Sequence, residues 1–91
     1  MRPATPYGVE VSAEARRGLH KLPTKIAAAI IEFITGPLAD NPGRLSKPLT
    51  NELRRYRSAR RGDYRVLIRV DEPGRLVLVV RIDHRAEVYR S

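Results

Sequence analysis

The chain predicts an α+β fold: two helices packed on one face of a small, mainly antiparallel sheet, in the order β-α-α-β-β-β. Three observations carry this. Apolar residues recur with helical spacing between positions 12 and 35, and with a spacing of two in the second half. Proline and glycine punctuate the chain at Gly36-Pro37, Gly62-Asp63 and Glu72-Pro73-Gly74. Positions 76–80 are apolar throughout, the pattern of a strand covered on both faces.

The elements follow in order. Tyr7, Val9 and Val11 alternate with Gly8 and Glu10, which predicts a short first strand. Ser12 is placed as an N-cap, with Glu14 in the positive first turn of the helix it starts. Ala15, Leu19 and Leu22 form that helix's apolar stripe. Pro23 suits the first turn of a second helix that runs to about Thr35 and stops at Gly36-Pro37. Ile26, Ile30 and Phe33 share one face, while Ala27, Ile31 and Ile34 extend the apolar surface. A core helix reads this way; so does one whose extra face takes a partner segment. Residues 37–52 read as loop, anchored by Leu45 and Leu49. A strand over about residues 53–60, the Gly62-Asp63 turn and a strand from Tyr64 make a hairpin, and residues 76–82 form a central third strand. Alternation puts Tyr64, Val66, Ile68, Leu76, Leu78, Val80 and Ile82 toward the helices. Arg65, Arg69 and Arg81 then share the open face.

The 91 residues are read as one domain, 1–91, with 1–6 a loose lead-in. There is no cysteine, so disulfides, thiolate ligands and cysteine nucleophiles are excluded. That usage fits a reducing compartment, and a cytoplasmic location is expected. No 18-residue apolar run is present, so no membrane association is expected. Two histidines, His20 and His84, have no ligand cluster around them in the sequence; neither metal nor cofactor is expected.

Charge is the functional signal. Net charge is +8, yet it is concentrated: residues 44–69 hold nine basic and two acidic side chains. Within residues 54–69, RRYRSARRGDYRVLIR, seven of sixteen are arginine. Such density on one stretch is a footprint for a polyanion, and arginine's planar donor fork suits phosphate. Arg57, Arg61, Arg69, Arg81 and Lys47 are therefore candidate RNA-binding residues, with Tyr56 as either a stacking platform for a base or an edge aromatic. The same run also suits a strand charged against edge-to-edge association. No carboxylate pair, nucleophile–histidine–acid set or glycine-rich phosphate loop is present. RNA cleavage remains possible, because the RNA's 2′-hydroxyl supplies the nucleophile and arginines stabilise phosphorane charge. His84 fits either a structural or a proton-transfer role.

The segments LHKLP, KPLTNEL, SARRGDYRVLIRVD and IDHRAEVY, in that order and spacing, resemble the RelE toxins. These are the mRNA-cleaving members of the RelE/ParE toxin–antitoxin superfamily, and the actinobacterial members are especially similar. The likeness spans about residues 7–90. It implies a metal-independent endoribonuclease that cuts mRNA in the ribosomal A site and inhibits translation. It also implies a RelB-like antitoxin that binds the toxin in a hetero-oligomer. It places the phosphate-binding arginine on Arg65, a later arginine on Arg85, the terminal tyrosine proposed as general base on Tyr89, and a basic residue before the hairpin turn on Arg60. Where the best-studied members carry two lysines, this chain has Tyr56 and Ser58; Arg57, Arg60 and Arg61 are at hand to replace that charge. A ParE-like gyrase inhibitor and a non-catalytic basic binding module are the competing readings.

Overall fold

Ser12 sets the first corner. Its Oγ accepts from the Ala15 backbone N–H at 3.0 Å, closing the first turn of a helix, and donates to the Val80 carbonyl at 2.7 Å. Its own backbone N–H donates to the Val79 carbonyl at 2.9 Å. The expected N-cap thus also ties the helix start to the sheet. The computed structural model describes residues 6–84. Its elements are β1 (Gly8–Val11), α1 (Ala13–His20), α2 (Thr24–Phe33), β2 (Ser46–Pro48), β3 (Arg57–Arg61), β4 (Tyr64–Asp71) and β5 (Leu76–His84).

α1 buries Ala15 and Leu19, the stripe expected of it. Gly18 permits close packing on β5: a Cβ there would stand 3.3 Å from the Ile82 carbonyl oxygen. α2 buries Ile30, with Ile26, Ala27 and Phe33 packed against the core. Ile31, on the extra apolar face, stays 46% exposed.

Gly36-Pro37 does not stop the winding, contrary to expectation. α2 widens at Ile34–Leu38 into a π-helical turn that contains Pro37, and residues 39–40 are still helical. A proline ring clashes with the carbonyl four residues back in an α-helix, and the wider turn relieves this. Burial of Ile34, Leu38 and Ala39, each 1% exposed or less, favours the continuation.

Two further expectations are corrected. The 37–52 loop contains β2, and the next strand begins at Arg57 rather than residue 53. Between them, Asn51–Leu53 makes one tight turn, with Asn51 at φ 59°, a conformation asparagine tolerates better than most residues. β3 and β4 join through the two-residue Gly62-Asp63 turn, where Gly62 takes φ 60°.

The sheet order is β1-β5-β4-β3-β2, antiparallel except for the β1–β5 pair. β5 is an interior strand, between β1 and β4, as its apolar run predicts. Its inward residues, however, are Val77, Val79 and Ile82, not Leu76, Leu78 and Val80. The cause is a bulge: Leu67 pairs with Arg81 but Ile68 pairs with Val79, so Val80 is extra. The added residue shifts the alternation, so Val77 and Val79 before it and Ile82 after it all face the helices. On β4, Val66 and Ile68 are fully buried as expected, and Tyr64 is half-buried against the core.

Candidate nucleic-acid interface

The helices cover one side of the sheet, and the hairpin strands carry Arg60, Arg65 and Arg69 on the other. Paired residues in a ladder share a face. Arg60 of β3 lies directly opposite Arg65 of β4, and Arg65 lies opposite Asp83 of β5. The next outward pairs are Lys47 with Ser58 and Ser58 with Leu67. Two like charges opposed across a ladder are unfavourable by a few tenths of a kcal/mol up to about 1. An anion between them reverses the sign of that contribution.

Beside this pair is a groove of about 580 Å³. One wall is the 44–49 segment, contributing Arg44, Leu45, Lys47 and Leu49; the other is Ser58, Arg60 and Arg65. Four cations thus line one depression floored by small and apolar groups. Lys47, Arg60 and Arg65, candidates on separate grounds in the sequence, line this groove together. Arg44 was missed by sequence reasoning. Its signal was present, as a basic residue three positions before Lys47 in a proline-rich loop, but a loop has no periodicity from which to infer a facing direction.

The remaining candidates occupy different surroundings. Arg69 is on the outward parity of β4, its guanidinium carbon 5.7 Å from the centre of the Tyr56 ring. The two form a cation–π pair with an aromatic face at one end of the arginine surface. Arg81 is also outward, but Asp83 holds its Nε at 2.9 Å and Glu14 lies 3.7 Å away. Two carboxylates beside it cancel its field. Arg61 is exposed at the hairpin tip and pairs with Tyr64, one position out of phase with Arg60. Arg57 is likewise on the helix-facing parity. Its Nε donates to Ser46 Oγ at 2.7 Å, and its Nη2 donates to the carbonyls of Ser46 and Gly43 at 3.0 and 3.1 Å.

His84 ends β5 opposite Tyr64, their rings edge-to-face at 4.9 Å between centroids. Both line a second depression of about 590 Å³ with Glu14, Arg17 and Lys21 of the α1 end. Arg85 and Tyr89, which the resemblance assigns to catalysis, lie outside the described residues. Among the described residues no three His, Asp or Glu side chains gather as a metal-holding group, and no helix is long and apolar enough to cross a membrane.

Comparison with known proteins agrees with this architecture. A family model described as ParE toxin of the type II toxin–antitoxin system, parDE, matches residues 9–89. Two curated Mycobacterium tuberculosis proteins, Toxin RelG and Toxin RelE, are each 51% identical over 85 residues. Those alignments cover 93% of this chain and 98% and 88% of the relatives. Among solved structures, the RelBE2 toxin–antitoxin complex of M. tuberculosis contains a chain 48% identical with a TM-score of 0.87, covering 94% of this chain and 99% of that one. The isolated Escherichia coli RelE toxin shares the fold at 17% identity and a TM-score of 0.69, covering 91% of this chain and 90% of that one. The chain therefore belongs to the RelE/ParE toxins of type II toxin–antitoxin systems, and among them it is a RelE-type toxin.

Proposed function

We propose that this toxin is a ribosome-dependent endoribonuclease that cuts mRNA in the A site and so arrests translation. The observation that carries the proposal is the opposed pair Arg60 and Arg65 on the uncovered sheet face, with Arg44 and Lys47 on the facing wall of the groove. A phosphodiester seated there meets charge-assisted donors from two sides.

The chemistry needs no protein nucleophile. The 2′-oxygen attacks the adjacent phosphorus, the P–O5′ bond breaks, and a 2′,3′-cyclic phosphate and a 5′-hydroxyl result. One proton leaves the 2′-hydroxyl and one is delivered to O5′. Arg65, Arg60 and Arg85 stabilise the pentavalent phosphorane, whose charge exceeds that of the ground state. Tyr89, which the resemblance assigns as general base, takes the 2′-proton. Since the attacking group is the substrate's own, metal-bound hydroxide is not required. The Tyr56–Arg69 pair offers a stacking surface for a base flanking the cut.

A RelB-like antitoxin is the proposed partner, in a cytoplasmic hetero-oligomer that keeps the toxin inactive. The RelBE2 complex, to whose toxin chain this one is 48% identical, supports that reading. The test is cleavage of a defined message on programmed ribosomes. Wild-type toxin should cut only when ribosomes are present, and Arg65→Ala should lower the single-turnover rate by about 100-fold or more, the scale of losing one preorganised charge contact. The family model named for ParE favours a second reading, inhibition of DNA gyrase. Gyrase inhibition in vitro with no RNA cut would establish it instead.

A further inference from the structure

The groove depends on where one of its walls stands, and that wall is a loop running into the three-residue strand β2. Residues 43–46 are held from beneath by a side chain that does not line the groove. The Arg57 guanidinium makes three hydrogen bonds there, two to Ser46 and one to the Gly43 carbonyl. Ser46 is 6% exposed, and its hydroxyl in turn donates to the Pro42 carbonyl at 2.5 Å. Asn41 secures the same turn, its Oδ1 accepting from the Arg44 N–H at 3.2 Å. Arg44 lies between the two carbonyls that Arg57 grips, and Lys47 follows the second one directly. Arg57 and Ser46 are on the helix-facing parity of their strands, whereas Lys47 is on the outward parity.

We propose that Arg57 is a positioning residue: its planar fork fixes the 43–46 segment so that Arg44 and Lys47 face the phosphate held by Arg60 and Arg65. This rests on the reading of the groove as an RNA site. Lysine cannot substitute, because a single ammonium does not reproduce the fork that reaches a hydroxyl and two carbonyls at once. Two consequences separate this role from others. The effect of losing the fork is transmitted through Arg44 and Lys47, so it vanishes when they are absent. It also occurs without any change of net charge.

The experiment is a double-mutant cycle on binding of a 2′-O-methyl RNA oligonucleotide, which cannot be cleaved, read by fluorescence anisotropy. Arg57→Lys should weaken binding about tenfold in the wild-type background and by less than about twofold in an Arg44→Ala/Lys47→Ala background. Ser46→Ala, which removes the hydroxyl at the other end of the clamp, should show the same coupling. Circular dichroism confirms that each variant is folded. If Arg57→Lys binds like wild type while Arg57→Ala is weak in both backgrounds, Arg57 contacts RNA itself and the positioning role is wrong. Equal losses from Arg57→Lys in both backgrounds mean a general structural role and also overturn it. If Arg65→Ala and Arg44→Ala/Lys47→Ala both bind like wild type, the groove is not the RNA site, and both readings fail together.

Discussion

Arg65 and Arg81 are both arginines on the outward face of adjacent strands, yet their surroundings predict opposite behaviour toward salt. Binding of single-stranded RNA releases condensed counterions, and log K falls with log salt with a slope of about −0.7 per phosphate neutralised. The groove's four cations, Arg44, Lys47, Arg60 and Arg65, therefore contribute about −2.8 to that slope. Replacing any one of them with alanine should make it shallower by about 0.7. Arg81 is already compensated by Asp83 at 2.9 Å and Glu14 at 3.7 Å. Its removal leaves Asp83 and Glu14 without that counter-charge and takes away none of the four groove cations. Arg81→Ala should therefore change the slope by much less than the roughly 0.7 expected for a groove cation, with any loss of affinity confined to low salt, where the added repulsion is least screened. The assay is anisotropy of a labelled 2′-O-methyl RNA between about 50 and 300 mM salt, a range in which screening changes substantially. If Arg81→Ala shallows the slope as much as Arg65→Ala, or if Arg60→Ala and Arg65→Ala leave it untouched, the assignment of the groove is refuted.

Three other outcomes are expected. Ser12→Ala should destabilise the fold by about 1–2 kcal/mol in denaturant melts, since it removes the α1 N-cap and the bond to the Val80 carbonyl together. Ile30→Ala, at a site 1% exposed, should cost about 2–5 kcal/mol, whereas Ile31→Ala at 46% exposure should cost far less. Tyr7 donates to the Glu72 carboxylate, and that bond, followed by partial desolvation and the carboxylate's charge, raises its phenol above the ordinary tyrosine value, against the opposing pull of Arg75. A raised folded-state value stabilises the fold fully below the unfolded value of about 10 and loses that contribution as pH rises through the folded value. Ultraviolet titration should show one tyrosine ionising later than the rest, and Tyr7→Phe should abolish that late phase; its persistence would exclude this assignment.

Much of this was legible in the residues. Ser12, the Ala15–Leu19 stripe, the Gly62 turn and the buried Val66 and Ile68 each rest on a local pattern with one favoured geometry. Pro37 misled because proline's steric conflict is local, whereas burial of Ile34 and Leu38 is tertiary and outweighed it. The facing of Leu76, Leu78 and Val80 was inverted because a bulge leaves no mark in a run of five apolar residues. Charge density marked residues 54–69 as a surface, but not the different surroundings of the arginines within it. Arg57, Arg60 and Arg81 look alike in sequence. One clamps a loop, one faces a second arginine, and one is neutralised by carboxylates on two elements; each outcome depends on partners 2 to 67 positions away.

The central claim is that the Arg60–Arg65 face cuts message. It is tested most directly by mapping mRNA 5′ ends after brief expression of the toxin and of Arg65→Ala. The account predicts new 5′ ends inside translated frames, falling at fixed positions within codons, for the wild-type chain. It predicts their loss in Arg65→Ala while the variant remains folded. Growth arrest with an unchanged set of 5′ ends, or cuts equally abundant in the variant, would contradict it.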